Sequence, residues 1–468
     1  MLSVSGCRGL FGQSLTPEVA ARFAGAFAGW LTDRFGPGQR VVLARDGRAG
    51  GHVIHAAAMA GLTGAGCHVT DLDVAMTPTV GVMVDRLACR GGMVVTASHN
   101  PQVWNGLKCL LGSGGREPSA AAPAAASADE IIARFKAGKV GAVDWKGAGE
   151  IDRCDTHDDD HVHVVMSALS ELLGADAQGI GEGMTFVLDS VNASGVVAGP
   201  NMLEELGCDE ILHLGGERTG LFPHAPEPIR ENLGDLCDAV REAGAAAGFA
   251  QDPDADRLAI VDERGEYIGE EYTLVLGTLA VLEAMGSKAK GSVLATNLST
   301  SRMIEDVAAK FGAKVIRTAV GEANVVDAMK SHRSAVGGEG NGGVIWPAVT
   351  YIRDSLSAMA LVTALLQRAG KPLSEIVAGI PSYAIEKRKV DLASREAAEP
   401  AVKAVAKAYA SARVDLQDGV RIDWDSERAW LHVRASNTEP IMRLIAEAPT
   451  AARAKAILDD AAKVIAAG

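Results

Sequence analysis

The sequence predicts an α/β protein, three tandem and topologically similar α/β domains followed by a smaller α+β domain. The main observation is a pattern of apolar strand, small polar turn, helix, glycine and second strand that occurs three times. It runs from Val41-Val42-Leu43 to Gly66-Cys67-His68-Val69, from Phe186-Val187-Leu188 to Gly207 and Ile211-Leu212, and from Val293-Leu294 to Gly312 and Val315-Ile316. Short strands alternating with helical stretches mark a parallel, helix-covered sheet, and a repeat of this length reads as tandem domains, not a solenoid. The second observation is that the C-terminal segment breaks the pattern. There Val420-Arg421-Ile422 and Trp430-Leu431-His432-Val433 read as antiparallel strands, Met442 to Ile445 as another, and about Ala451 to Ile465 as a closing helix with apolar residues at helical spacing.

Composition agrees. At 468 residues and 48% hydrophobic, the chain can bury several cores and should divide into three or four domains of roughly 100 to 150 residues. The expected boundaries are 1–150, 151–255, 256–370 and 371–468. Aromatic residues make up only 4%, which suits close helix-on-sheet packing more than a stacking surface for nucleic acid. A formal net charge of −14 argues against nucleic acid and anionic membrane as partners. It leaves room for a phosphorylated substrate in a pocket lined by arginine. The seven cysteines are scattered without a CxxC spacing, as expected of reduced core thiols in a cytoplasmic protein. No basic region precedes an apolar core at the N-terminus, and no apolar run approaches the ~20 residues of a membrane span.

Each of the three copies reaches a third strand that ends in a loop rich in potential ligands. The first is Met93 to Val95 and its loop is Thr96-Ala97-Ser98-His99-Asn100-Pro101. A buried strand feeding such a turn exposes its last side chains at the carboxyl edge of the sheet, where α/β proteins bind ligands. A serine in this place is commonly a helix N-cap. His99, and Lys108 further along the same loop system, add proton-transfer groups that favour chemistry. No GxSxG surrounds Ser98, which weakens a serine-hydrolase reading.

The second loop is Asp252-Pro253-Asp254-Ala255-Asp256-Arg257. Carboxylates at i, i+2 and i+4 of an extended segment project to one side and suit Mg²⁺ or Ca²⁺; the plain alternative is a solvated acidic turn. An EF-hand is rejected because its sixth place is Arg257 and an apolar strand, Leu258 to Val261, follows at once. A phosphatase with Asp252 as nucleophile is a rival, although the separate Ser98 loop favours a metal-ligand role.

The third loop, Gly338 to Gly343, leaves backbone amides and the side chains of Glu339 and Asn341 free to face a polyol. In the last domain, Arg434-Ala435-Ser436-Asn437-Thr438 supplies a guanidinium, two hydroxyls, an amide and backbone donors, which suits a phosphate dianion. A capping turn is its plain alternative. Arg8 and the Arg45-Asp46-Gly47-Arg48 segment are further candidates for charge near the site, the second reading equally well as a structural Arg–Asp pair. The tract from Asp155 to His163 has no ordinary zinc spacing and reads as a helix N-terminus. The Ala/Pro/Ser-rich stretch of residues 113–128 reads as an exposed insertion.

TASHNP, DPDADR, GGEGNGG and RASNTEP, in this order and spacing, resemble the motifs of the α-D-phosphohexomutases, and the resemblance covers essentially the whole chain. It implies that the fourth domain is of the TATA-binding-protein-like type and that the four domains surround a central cleft. It implies that Ser98 carries the transferable phosphoryl group. Asp252, Asp254 and Asp256, with an oxygen on Ser98, would bind one Mg²⁺. Arg257 would sit at the reacting phosphate, with His99 and Lys108 as proton-transfer groups and Arg8 assisting. Glu339 and Asn341 would bind sugar hydroxyls; Arg434, Ser436, Asn437 and Thr438 would grip the phosphate that is not transferred. The implied reaction interconverts hexose 6- and 1-phosphates through a hexose 1,6-bisphosphate, which also serves as activator, in a monomer or homodimer. One departure is that many bacterial relatives carry a histidine where this chain has Gly343. The motif forms lean toward glucosamine phosphate as substrate, with mannose or glucose phosphate next and a sugar phosphatase as a remote alternative.

Overall fold

The computed structural model describes residues 2–3, 6–392, 394–435 and 441–467. The first sheet contains β1 (Leu2–Ser3), β2 (Gly6–Leu10), β3 (Arg40–Arg45), β4 (His68–Val74), β5 (Gly91–Val95), β6 (Trp104–Leu111) and β7 (Ile151–Arg153). The second contains β8 (Thr185–Asp189), β9 (Glu210–Leu214), β10 (Ala247–Gln251) and β11 (Leu258–Asp262), and the third β12 (Val293–Asn297), β13 (Lys314–Thr318), β14 (Val336–Glu339) and β15 (Gly343–Ile345). The fourth is built from β16 (Ala384–Asp391), β17 (Arg413–Asp415), β18 (Val420–Trp424), β19 (Ala429–Ala435) and β20 (Ile441–Ala448).

The repeat seen in the sequence is a repeat of topology. The orders β6-β5-β3-β4, β11-β10-β8-β9 and β15-β14-β12-β13 are the same arrangement three times. In each, the first strand pairs in parallel with the second and the third, and the third pairs antiparallel with a fourth. The chain therefore leaves the first strand in one direction and returns on its other side. This reversal opens a crevice at the carboxyl ends of the first and third strands. The fourth sheet, β16-β20-β19-β18-β17, is wholly antiparallel.

Core packing welds some domains and leaves one apart. Phe23, Phe27, Ile54 and Leu62 cover one face of the first sheet, while Val80, Met83 and Val84 cover the other. The second and third domains share one continuous core that includes Phe186, Phe249, Leu274, Leu294, Val336 and Leu361. The fourth domain has its own core around Val420, Leu431, Leu444 and Ile457, and it meets the third through polar contacts. Arg302 N donates to Glu447 Oε1 at 3.0 Å, Val320 N donates to Asp418 Oδ2 at 3.1 Å, and Ser299 Oγ lies 2.8 Å from His432 Nδ1.

Four expectations need correction. The strand Leu258–Asp262, placed beyond the boundary at 255, pairs with β10 and belongs to the second domain. Likewise, Ile151–Arg153 pairs with β4 and completes the first sheet. Leu373 and Ile380 are buried in the core of the second and third domains, so the fourth domain begins after them and not at 371. Nor is the 113–128 stretch a loose insertion. Asp85 accepts hydrogen bonds from the backbone of Ser119 and Ala120, Ala120 and Ala121 are buried, and Ala125–Lys136 is helical. By contrast, His157–Leu173 is the expected helix, with Asp158, Asp159 and Asp160 in its first turn. Among the described residues no helix is long and apolar enough to cross a membrane.

The joint between the third and fourth domains should respond to pH. His432 is fully buried, with Nε2 2.7 Å from the Asp418 carbonyl, which fits the neutral tautomer protonated at Nε2 and accepting from Ser299 at Nδ1. Burial, aided by the charges of Arg421 and Arg434, lowers its pKa to about 4 against the Asp418 contacts. Between the unfolded value of about 6.5 and about 4, the unfolded chain binds a proton that the folded joint refuses. Stability is therefore whole above about pH 6.5 and declines as pH falls. The melting temperature is expected to drop between pH 7.5 and pH 5, and to drop less in His432→Gln. An equal drop in the variant would place the pH response elsewhere.

Candidate active site

The loops that follow the three third strands meet in one place. Ser98 follows β5, Asp252 follows β10, and Glu339 ends β14. Ser98 is 2% exposed and has φ +52°, a left-handed conformation that a non-glycine residue adopts only when its surroundings hold it there. The loop runs on to β6 without a helix, so Ser98 is not an N-cap. Its Oγ donates to Asp252 Oδ2 at 2.9 Å and lies 3.3 Å from His99 Nδ1.

A buried ion pair fixes this loop. Arg48 and Asp46 are fully buried, with Nε donating to Oδ2 at 2.8 Å, and the two guanidinium Nη atoms donate to the carbonyls of Ser98 and Trp104, each at 2.6 Å. Thr96 Oγ1 donates to the same Asp46 Oδ2 at 2.7 Å and accepts from Ser98 N at 2.8 Å. Of the two readings of this segment, the structural pair holds. Arg48→Ala would strand the Asp46 charge, a defect worth about 3–5 kcal/mol. Urea unfolding should show a loss of that size; a loss below about 1 kcal/mol would mean that the pair does not anchor the loop.

Asp252, Asp254 and Asp256 are fully buried, and one oxygen of each lies within 4.8 Å of the others. Lys108 Nζ donates to Asp254 Oδ2 at 2.8 Å and to Asp256 Oδ2 at 2.9 Å; Thr77 Oγ1 donates to Asp254 Oδ2 at 2.7 Å. The opposite oxygens, Asp254 Oδ1 and Asp256 Oδ1, are buried without a hydrogen-bond partner. Leaving such oxygens unpaired is costly, and a hard divalent cation is the ligand that this donor set fits. Burial, then the charges of Asp254 and Asp256, pushes the Asp252 carboxyl well above the usual carboxylate range. Burial would raise Asp256 too, but Arg353, Lys108 and Arg257 pull it far below.

The other predicted residues surround this centre. Lys108 lies on strand β6, not in a loop. Against the effect of burial, Asp254 and Asp256 raise its pKa, so it is held as an ammonium. His99 is held neutral, with a pKa lowered to about 4 by burial and then by Arg257 and Arg8. Arg257 N donates to Asp252 Oδ1 at 3.2 Å. A cavity of about 500 Å³ is lined by Arg8, Ser98, Lys108 and Arg257 on one side and by Glu322, Glu339, Asn341, Arg353 and Arg443 on the other.

Glu339 accepts from Asn297 Nδ2 at 2.8 Å and from Arg353 Nη1 at 3.1 Å, whereas Asn341 Oδ1 is buried and unpartnered. The hairpin carrying them needs glycine at 340, where a Cβ would stand 1.9 Å from Glu271 Oε2. Glu339, Asn341 and Arg443 also line an adjoining cavity of about 170 Å³ that reaches Arg434 and Lys387. Arg434 pairs with Asp418 Oδ2 at 3.1 Å. Ser436, Asn437 and Thr438 lie outside the described residues. A separate cavity of about 560 Å³, lined by Arg45 and Asn192, touches neither Ser98 nor the aspartate triad.

Sequence reasoning missed Glu322, Arg353 and Arg443. Arg443 stands opposite Arg434 in the register of β19 and β20. Like charges in that position repel, and such a pairing, once seen, would have marked an anion site.

Comparison with known proteins agrees with this architecture. Four domains of one family match successive parts of the chain: phosphoglucomutase/phosphomannomutase alpha/beta/alpha domain I at residues 2–137, domain II at 167–265, domain III at 269–383 and the C-terminal domain at 388–464. The chain belongs to the phosphoglucomutase/phosphomannomutase family. This mutase is 34% identical to a phosphoglucomutase/phosphomannomutase of Thermococcus kodakarensis, over 98% of the chain and 97% of the relative. It is also 34% identical to a probable phosphoglucosamine mutase of Methanopyrus kandleri, over 98% and 96%. Among solved structures, a phosphoglucomutase/phosphomannomutase family protein from Burkholderia thailandensis matches the mutase with a TM-score of 0.83 at 26% identity, covering 100% of this chain and 98% of the other.

Proposed function

We propose that this mutase is Mg²⁺-dependent and interconverts the 6- and 1-phosphates of glucosamine through phospho-Ser98 and a hexose 1,6-bisphosphate that also activates it. The observation that carries this reading is the Ser98 Oγ contact with Asp252, 2.9 Å, beside the two orphaned oxygens of Asp254 and Asp256. Asp252, Asp254 and Asp256, with an oxygen on Ser98, would hold the ion, which supplies charge neutralisation to a transferring phosphoryl group.

The chain's own residues account for the remainder. Arg257, Arg8 and the Lys108 ammonium face the same cavity and would stabilise the phosphoryl oxygens. The bond from Ser98 Oγ to phosphorus breaks as the bond to a sugar hydroxyl oxygen forms, and His99, held neutral, would accept the hydroxyl proton. Lys108, already an ammonium, serves as a donor and not as the base. After the bisphosphate turns over, its other phosphate returns to Ser98. Arg434 and Arg443, with Ser436, Asn437 and Thr438, would hold the phosphate at rest. The polar joint of the fourth domain would let it close over the cleft and exclude water.

The choice of sugar rests on the cavity wall. Glu322, Glu339 and Asn341 Oδ1 present acceptors there, a surface suited to the ammonium of a 2-amino hexose. The name of the Methanopyrus relative points the same way. Mannose or glucose phosphate is the alternative favoured by the Thermococcus relative's name. We place the protein in the cytoplasm, as a monomer or homodimer. The test is ³¹P NMR with Mg²⁺ and a trace of hexose 1,6-bisphosphate, offering glucosamine, mannose and glucose 6-phosphates in parallel. A 1-phosphate signal arising fastest from glucosamine 6-phosphate is expected. Free phosphate alone would sink the mutase reading and favour a sugar phosphatase.

A further inference from the structure

Arg353 lies between β15 and the helix Ser355–Ala369, and its backbone is pinned by the next residue. Asp354 caps that helix, accepting from Leu356 N at 3.0 Å and Ser357 N at 3.1 Å, and lies 3.2 Å from the buried His161 Nε2. The side chain is 9% exposed and meets three carboxylates, Asp256 Oδ2 at 2.7 Å, Glu322 Oε2 at 3.0 Å and Glu339 Oε2 at 3.1 Å. Those carboxylates come from three different segments: the metal loop after β10, the helix that follows β13, and the end of β14.

Gly343 makes this reach possible. A Cβ at 343 would stand 2.2 Å from Arg353 Cδ and 2.8 Å from Cγ. The stem runs directly over the glycine, and its guanidinium is held there by hydrogen bonds to Asp256 and Glu339 and by the ion pair with Glu322. Gly343 has no left-handed φ, so space, and not backbone conformation, is what the position requires. The chain has thus exchanged a side chain at the end of the sugar hairpin for an arginine that enters from another loop.

We propose that Arg353 is a positioning residue that couples cation binding at the aspartate triad to binding of the phosphosugar. A divalent cation at the triad takes up the negative charge of Asp256, which leaves the Arg353 charge less compensated and the adjoining cavity more attractive to an anionic ligand. By linkage, the phosphosugar must tighten the cation by the same factor. The proposal rests on the metal and sugar reading above, and the test separates the two.

Mn²⁺ binding is measured by EPR in a Ser98→Ala background, which prevents turnover, with and without glucosamine 6-phosphate. Tightening of about tenfold is expected in that background, a coupling within the usual range. Adding Gly343→Ala, which displaces the stem, or Arg353→Lys, which keeps the charge but not the three contacts, should leave Mn²⁺ binding alone within about threefold and cut the tightening to below about twofold. Equal tightening in all three proteins overturns the proposal. Failure of both the parent and the Ser98→Ala protein to bind Mn²⁺ overturns the metal-site reading and the proposal with it. Mn²⁺ binding that the phosphosugar leaves unchanged overturns the coupling alone.

Discussion

Replacing Ser98 by alanine is expected to lower mutase turnover by about 10⁴-fold or more, the scale seen when a nucleophile that other groups serve is removed. Every specialised feature of the first-domain loop acts on this hydroxyl. The Asp46–Arg48 pair holds the Ser98 carbonyl, Thr96 holds its amide, and the left-handed backbone turns Oγ onto Asp252. Folding depends on the hydroxyl far less, since its loss removes one hydrogen bond worth about 1 kcal/mol. ³¹P NMR turnover and urea unfolding on the same preparation should therefore separate widely. Turnover within tenfold of the parent would mean that another group carries the phosphoryl.

Asp254→Asn is expected to have the second-largest effect, a large loss of function with little change in the stability of the metal-free protein. Three carboxylates are crowded in a dry site, and their mutual repulsion raises the Asp252 carboxyl. Removing one charge relieves that repulsion but weakens the Lys108 and Thr77 contacts that hold the Asp254 carboxyl below the usual range, so melting without metal should change little. The same change removes a charged ligand, and Mg²⁺ affinity by calorimetry should fall by at least about 10²-fold, with turnover falling alongside. Retained Mg²⁺ affinity would show that the cation, if bound, sits elsewhere.

The parts of the site that could be read from the sequence are those whose residues are neighbours in the chain. Asp252, Asp254 and Asp256 fall on one side of an extended segment by spacing alone, and Ser98 and His99 stand at the end of an apolar run. Arg353, Glu322 and Arg443 are single charged residues in ordinary surroundings, and only the fold brings them to the cavity. Lys108 was misplaced because Asn105 and Gly106 break the apolar run, although both are buried within β6. The 113–128 stretch was misread for a related reason. Its composition carries no signal that Asp85, far back in the chain, accepts from the backbone of Ser119 and Ala120. The three strand–helix–strand repeats were legible, and Leu258 to Val261 reads as a strand, but nothing in the sequence shows that it turns back antiparallel onto the second sheet, and the boundary at 255 falls before it.

Because the three α/β domains repeat one strand order, each loop is anchored to its own strand end, and the chemistry is divided among separately founded parts. Such a molecule can change its sugar without rebuilding its phosphoryl-transfer apparatus, since most substitutions in the β14–β15 hairpin leave the strands under Ser98 and Asp252 untouched. Arg353 is one place where that independence stops. Any redesign of the hairpin that fills position 343 displaces this one side chain from Asp256, so here a new substrate preference would also change how strongly sugar and metal answer each other.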